Sequence, residues 1–322
     1  MQQFNRKIIV QAGKIGEPGI QVTNLRVTFN IKKTSRSDSY NTASVVIYNL
    51  NSDSRDGIAA LNYTDLKDAS NILTVRAGYE ALEKTIYVGN ISLVNIELKR
   101  PDAITTIEAS DGYIAMNQLR IGTVPPSGIG GIPAFTYGKQ TSAKKVLHDI
   151  LKISGLTVKY NINSIPDRLY ANGFSFIGMG KVLLDNVCNY LGLEWSIQNN
   201  CIKLFPVDTS DGISIVSLSP TCGLIGSPER SNIDNKELTK KELGMVTGKS
   251  TTALGKKIKK RIGGGWKIKA LLQPEVEPGN IIMVESDEIP FGTQLRVIEV
   301  EHVGDTHGQD WTSTIYAKVM GS

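Results

Sequence analysis

Histidine, cysteine and aromatic side chains are scarce in this chain of 322 residues: it has 3 His, 3 Cys and 7% Phe, Trp and Tyr. Cys188, Cys201 and Cys222 are odd in number and out of CxxC spacing. Neither a disulfide framework nor a cysteine-built zinc site follows, and the three read as buried free thiols. No GxSxG, HExxH or paired Cys/His signature is present, so the familiar hydrolase and metalloprotease chemistries have no residues to run on. No stretch approaches the roughly 18 apolar residues a membrane helix needs. The opening MQQFNRKIIVQAGKIGEPG lacks the apolar core of a signal peptide, so assembly in a cytoplasm without membrane insertion is expected. A strong charge of one sign is missing too. Against 31 Asp+Glu stand 36 Lys+Arg, a net charge of +5, which is mild for a dedicated nucleic-acid binder.

What is present is ordinary in proportion. Hydrophobic residues make up 40% and charged residues 21%, as in a soluble globular chain. The length exceeds what one core usually serves, so two or three domains are expected.

Residues 1–111 alternate in the manner of strands. Val27, Phe29 and Ile31 follow Ile20, Val22 and Leu25 and share one face. Further β-rich runs cover 41–50, 71–79, 85–98 and 103–109, with Arg100-Pro101-Asp102 as a turn. Gly89 interrupts the longest run and predicts a bulge or sharp bend. Ile58, Leu61 and Leu66 predict one short helix within 53–67. The pattern is a small antiparallel barrel with one helix.

Residues 112–138 are rich in Gly and Pro and read as a linker. Over 139–205 the period changes. Ser142 is a candidate N-cap for a helix with the stripe Val146, Leu147, Ile150 and Leu151, ended by Gly155. A strand over 156–160 follows. The unit then recurs: a helix striped by Leu183, Leu184, Val187, Cys188 and Leu191, a stop at Gly192, and a strand over 193–197. Asn199-Asn200 turns that strand into Cys201–Phe205 as a hairpin. Two such units predict a sheet covered by two helices. Residues 206–322 return to strands, at 213–218, 266–272, 280–285, 293–302 and 310–319. They form a second barrel whose last hairpin repeats the shape of the 85–109 hairpin. A charged insertion at 235–264 interrupts it.

Candidate chemistry is thin. Gly244-Met-Val-Thr-Gly-Lys-Ser250 is one residue short of a phosphate loop and follows a charged segment rather than a buried strand. His302, Asp305, His307 and Asp310 cluster in sequence, yet Gly304-Asp305 and Gly308 read as hairpin punctuation. Acid pairs such as Asp208/Asp211 and Asp287/Glu288 fall in turns. No catalytic, metal or cofactor site is assigned. Lys256, Lys257, Lys259, Lys260 and Arg261 form a basic cluster suited to an acidic protein face, with no interleaved aromatics to stack bases.

Several segments in order resemble the baseplate hub proteins of contractile-tailed phages, the tail hub or late control protein D-like family. They are Leu25–Ile31 with Asn41–Leu50, Gly223–Glu229, Leu271–Gly279 and His302–Trp311, which together touch both ends of the chain. The resemblance implies a mainly β fold with an α+β insert, two tube-type antiparallel β-barrels flanking a small two-helix α/β domain. It implies a non-enzymatic virion protein of the tail baseplate: a homotrimer whose paired barrels make a six-fold-like ring. That ring would join the tail-tube protein to a central spike protein, contact other baseplate proteins, and pass DNA or the tape-measure protein through its pore. Under this reading Val27, Phe29, Val45, Ile47, Ile91, Leu93, Ile268, Ile282 and Val297 belong to the tube wall and ring interface, and the 256–261 cluster contacts a partner. The charged 235–264 segment departs from the plainer connection the family suggests. The competing reading is a cell-wall polymer binding module in which Trp195 and Tyr190 stack on sugar rings.

Overall fold

The computed structural model describes residues 5–37, 39–62, 71–80, 82–112, 119–122, 134–154, 156–159, 165, 167–206, 215–231 and 265–320. Strands β1 (Arg6–Lys14), β2 (Ile20–Val22), β3 (Val27–Thr34) and β4 (Thr42–Tyr48) come first, then helix α1 (Ser52–Ala59). They are followed by β5 (Asn71–Tyr79), β6 (Leu82–Lys99) and β7 (Asp102–Ser110). The middle of the chain holds β8 (Arg120–Ile121), β9 (Phe135–Tyr137), β10 (Thr141–Ser142), α2 (Ala143–Ser154), β11 (Thr157–Lys159), β12 (Leu169–Tyr170), β13 (Phe174–Phe176) and β14 (Gly178–Met179). It ends with α3 (Gly180–Leu191), β15 (Leu193–Ile197) and β16 (Cys201–Pro206). The last part holds β17 (Ile215–Leu218), β18 (Glu229–Ser231), β19 (Gly265–Leu271), β20 (Ile281–Val284), β21 (Gln294–Asp305) and β22 (Trp311–Val319).

Local chemistry accounts for most of these elements. In β3 Val27, Phe29, Ile31 and Lys33 are buried at every second position, with Thr34 also buried at the strand's end, and in β22 Trp311, Ser313, Ile315 and Ala317 show the same alternation of a half-buried strand. Asn51 caps α1 by accepting from the Ser54 N–H at 2.8 Å. Ser142 Oγ accepts from the Lys145 N–H at 3.3 Å at the start of α2, as its position predicts. The α3 helix ends at Gly192 with φ 72°, the left-handed stop that favours glycine. Asn199 and Asn200 both take positive φ, 56° and 60°, and turn β15 into β16. Gly155 and Leu66 lie outside the described residues.

Three findings differ from the sequence reading. The first strand, β1, is absent from the runs named above, although Ile8, Val10 and Ala12 alternate and are buried. The stretch expected as a linker over 112–138 is not all connector. β8 pairs with β14 and β9 with β13, because Ile121 and Phe135 have an apolar core to enter. Cys222 is exposed, whereas Cys188 and Cys201 are buried as expected.

The strands outside the middle unit form one 13-stranded sheet, ordered β18-β19-β22-β21-β3-β4-β7-β6-β5-β1-β2, with β20 branching from β21 and pairing in parallel with β17. Two long strands change partner along their length. β6 pairs with β5 through its first half and with β7 through its second, and its register with β7 shifts between Ile91 and Leu93. β21 pairs with β20 through its first part and β3 through its second, and its register with β22 shifts between Val297 and Glu299. In both, a bulge bends the strand so that it serves two neighbours. Gly89 lies just before the first bulge, where a Cβ would fall 2.4 Å from the Tyr87 hydroxyl oxygen.

The β21–β3 pairing is the seam between the two halves. The cores cross it. Trp311 and Leu272, from the last part of the chain, are buried in the core built by β1–β7. Phe29 and Trp311 meet edge to face, with centroids 5.5 Å apart. The main chain of Gly304 passes against both rings, and a Cβ there would lie 2.3 Å from Phe29 and 2.9 Å from Trp311. A separate core holds Val216, Leu218, Ile268, Ile282, Val297 and Ile315. The middle unit packs α2 and α3 on a three-stranded sheet, β11-β16-β15, with its own core.

The seam makes a prediction. Trp311→Ala opens a cavity in the first core although the residue belongs to the last hairpin, and should cost about 3–5 kcal/mol. Gly304→Ala forces the same two rings apart. Both variants should lower the urea midpoint of the whole β part in a single transition. Two separated transitions would show that the halves fold independently.

Candidate functional site

The nine residues expected to form a tube wall lie on the strands as expected, but eight face inward. Val27, Phe29, Val45, Ile47 and Ile91 are buried in the first β core, and Ile268, Ile282 and Val297 in the second. Their side chains fill the chain's own β cores. Leu93 is the exception, at 48% exposure. Simple alternation puts it on the face of Ile91. The register shift between the two reverses the phase, so Val94 goes inward and Leu93 outward. The basic cluster Lys256, Lys257, Lys259, Lys260 and Arg261 lies outside the described residues.

Several of the polar residues singled out in the sequence have structural partners, while Asp208, Asp211 and residues 244–250 lie outside the described residues. His302 is buried and its Nδ1 sits 2.8 Å from Ser313 Oγ. Asp305 accepts from Arg26 and from the His307 N–H at the hairpin turn. Trp195 is buried and donates from Nε1 to Asp185 at 2.8 Å. Its ring cannot stack on a sugar, which corrects the binding-module expectation at its main residue. Tyr190 is stacked 4.6 Å from Tyr170 with its hydroxyl donated to the Leu169 carbonyl.

The densest polar arrangement lies where all three parts of the chain meet. Lys33, on β3, is 1% exposed. Its ammonium donates to the Ile86 carbonyl at 3.2 Å, to Asn199 Oδ1 at 3.2 Å and to Glu277 Oε1 at 3.3 Å. All three of its protons are thus satisfied, one by each part of the molecule. Glu277 also accepts from Asn199 Nδ2 at 2.9 Å and from Lys203 at 2.7 Å. Asp111, just past β7, holds the tip of the middle hairpin: its carboxylate accepts the Asn199 N–H at 2.6 Å and the Asn200 N–H at 2.7 Å. Asn41 donates to Asp111 at 3.2 Å and to the Ile197 carbonyl at 2.6 Å, and accepts the Thr34 N–H at 2.8 Å. Gln198 donates to the Thr34 carbonyl at 2.7 Å. A second tie runs from Arg296 of β21 to Glu194 of β15, with the guanidinium 4.6 Å over Phe205.

The environment sets the charges. Burial raises the Asp111 carboxyl to about 6, only partly opposed by the Asn200 N–H and the Lys33 ammonium. Burial also pushes Glu277 upward, but Lys33 and Lys203 outweigh it and hold the group at about 2. Burial depresses His302 to about 3, helped by the nearby positive charge of Lys33, so the ring is neutral. The arrangement clamps three units together.

Sequence reasoning passed over this junction, yet part of it leaves a trace. Lys33 continues the inward stripe Val27, Phe29, Ile31, and Asp111 continues Thr105, Ile107, Ala109. A charge in the inward phase of a strand demands a buried partner. Glu277 and Asn199 sit in turns and carry no such local mark.

No protein-family model and no curated protein matches the chain. Its fold is shared with solved structures at low identity. A tail protein from Neisseria meningitidis MC58 superposes with a TM-score of 0.59 at 11% identity, covering 98% of this chain and 97% of that one. The 43 kDa tail protein of prophage MuSo2 from Shewanella oneidensis gives 0.60 at 11%, covering 98% of each. The E. coli c3393 protein, a type VI secretion system component described as structurally similar to T4 bacteriophage tail proteins gp27 and gp5, gives 0.55 at 10%. That match covers 96% of this chain and 76% of the other. The chain therefore has the fold of these tail and secretion proteins.

Two outcomes test the junction. Glu277→Gln leaves the Lys33 charge buried with one acceptor weakened and should cost about 3–5 kcal/mol in urea denaturation. Lys33→Met with Glu277→Leu should cost clearly less than the single change. The pH response has a defined sign. His302 falls from 6.5 to about 3 on folding, so the unfolded chain binds the extra proton and stability drops as pH falls through that window. Asp111 rises from 3.8 to about 6, so it adds stability as pH falls from 6 to 3.8. The two cancel between those values. In His302→Gln the Asp111 contribution is left unopposed by these groups between pH 6 and 4.5, above the window in which Glu277 takes up its proton. Denaturation midpoints should therefore rise in the variant as pH falls through 6, relative to the parent.

Proposed function

We propose that the chain is a structural subunit of a phage-type tail: a baseplate hub whose copies, three to a ring, join the tail tube to a central spike around a pore for DNA or the tape-measure protein. The observation that carries this reading is an internal repeat. The β6–β7 and β21–β22 hairpins each contain a long strand that changes partner at a register shift. Two such β units per chain turn a three-fold ring into six similar wall segments. That would match a hexameric tube on one face and a trimeric spike on the other. The fold shared with tail and secretion-system proteins supports the same role.

In this reading the units 1–111 and 206–322 are the two tube-type barrels, and the strands carrying Val27, Val45, Ile91, Ile268, Ile282 and Val297 make the wall. The middle unit, 139–205, faces outward toward other baseplate proteins. The 256–261 cluster reaches an acidic face of one of them. The role is architectural rather than enzymatic, in the virion tail, with assembly in the host cytoplasm. Ring closure also answers a physical need. Among the described residues β2 pairs only with β1 and β18 only with β19, so both ends of the sheet present an open edge. Open edges invite pairing, and a neighbouring copy would cover them. The cell-wall-binding alternative loses its main support with Trp195 in the core.

Light scattering over a dilution series tests this. The expected mass is three times 35.1 kDa. A strict monomer at every concentration, with purified tube protein present as well as absent, would overturn the ring.

A further inference from the structure

One hydrophobic side chain stands apart from every core. Phe291 is 96% exposed, the most exposed large apolar residue among those described. It is not on a loose loop. It sits in a tight turn, closed by the Thr293 N–H donating to the Pro290 carbonyl at 3.1 Å and by the Thr293 hydroxyl donating to the same oxygen at 2.6 Å. Gly292 takes φ 80°, the value that places the preceding side chain at the outer corner of such a turn. Behind it Ile289 is buried in the second β core and bridged to Ser286. A rigid, fully solvated phenyl ring loses little conformational freedom on binding, which is the property of an interface anchor. Glu285, Asp287 and Glu288 precede the turn in sequence, all exposed, and none has a salt-bridge partner among the described residues.

A complementary surface exists elsewhere on the same chain. The middle unit carries an open groove of about 560 Å³ lined by Ala134, Phe135, Tyr137, Asp149, Lys152 and Ile153. Its walls are mainly apolar, and Ile153 is 37% exposed. The one acid in it, Asp149, is engaged by the Tyr137 hydroxyl at 2.7 Å. Lys152 lines the groove, and Lys145 lies two turns before it on the exposed side of α2, so both bring positive charge to this side of the helix.

We propose that the Phe291 turn of one copy docks into the Phe135–Tyr137–Ile153 groove of the next copy, with Lys152 and Lys145 facing Glu285, Asp287 and Glu288. The knob and the groove lie on different units, so each copy offers one of each. A head-to-tail contact of this kind closes into a ring when the rotation allows. The inference rests on the self-association proposed above and names the side chains that drive it. The charges steer and orient the encounter, and the ring supplies the buried anchor.

The test uses the full chain with Cys222→Ser as background. Phe291→Ser should leave the circular dichroism and urea midpoint unchanged, because the side chain touches no core, and should weaken self-association at least ten-fold by light scattering. Phe291→Leu should retain most of it. Lys152→Glu should weaken it, and adding Glu288→Lys should restore it. Phe291→Cys combined with Ile153→Cys should give disulfide-linked multimers under mild oxidation, absent from either single variant. A parent that assembles while Phe291→Ser assembles equally well overturns this contact and leaves the ring reading standing. A parent that stays monomeric with tube protein present as well as absent overturns both.

Discussion

A single buried ammonium group holds the architecture in register. Lys33 reaches a carbonyl on β6, an amide at the tip of the middle hairpin and a carboxylate in the loop before β20. Bringing that charge out of water is costly, and only the complete set of acceptors offsets it. The three parts of the chain therefore have one mutual placement in which the group is satisfied. Asp111 applies the same rule to the main chain, since the two successive N–H groups of the Asn199–Asn200 turn have their acceptor there.

Around this junction the β parts are less separate than two barrels would be. β21 and β3 pair along seven residues of register, from Glu299 with Thr34 to Asp305 with Thr28. Trp311 carries the last hairpin into the first core. The middle unit is attached differently. Its own core is apolar and self-contained, whereas its attachment to the rest runs largely through Asn41, Gln198, Asn199, Lys203 and the Arg296–Glu194 pair. Polar attachment of a separately cored unit specifies orientation strongly while adding little hydrophobic burial. The outcome is a continuous β body with a separately cored unit held in one orientation.

The buried acids, histidine and arginine serve packing, and the most conspicuous exposed feature is an aromatic ring on a rigid turn. Asp111, Glu277 and His302 are held where the parts of the chain meet, around the Lys33 ammonium.

The sequence by itself determined the local elements. Period-two stripes such as Val27-Phe29-Ile31, the helical stripes of α2 and α3, and the turn residues Gly192 and Asn199-Asn200 are short-range signals. They depend only on side-chain alternation and backbone freedom. The same logic contained, unread, the inward phase of Lys33 and Asp111. Tertiary structure alone decided the rest. The bulge that turns Leu93 outward exists because β6 must serve two neighbours. The burial of Trp195 follows from α3 lying over β15 with Asp185 placed to accept its N–H. The pairing of Glu277 with Lys33 joins residues 244 positions apart, and the β21–β3 seam joins the two halves of the sheet. Such contacts leave no local pattern, because what selects them is the energy of satisfying buried charge and strand edges across the whole chain.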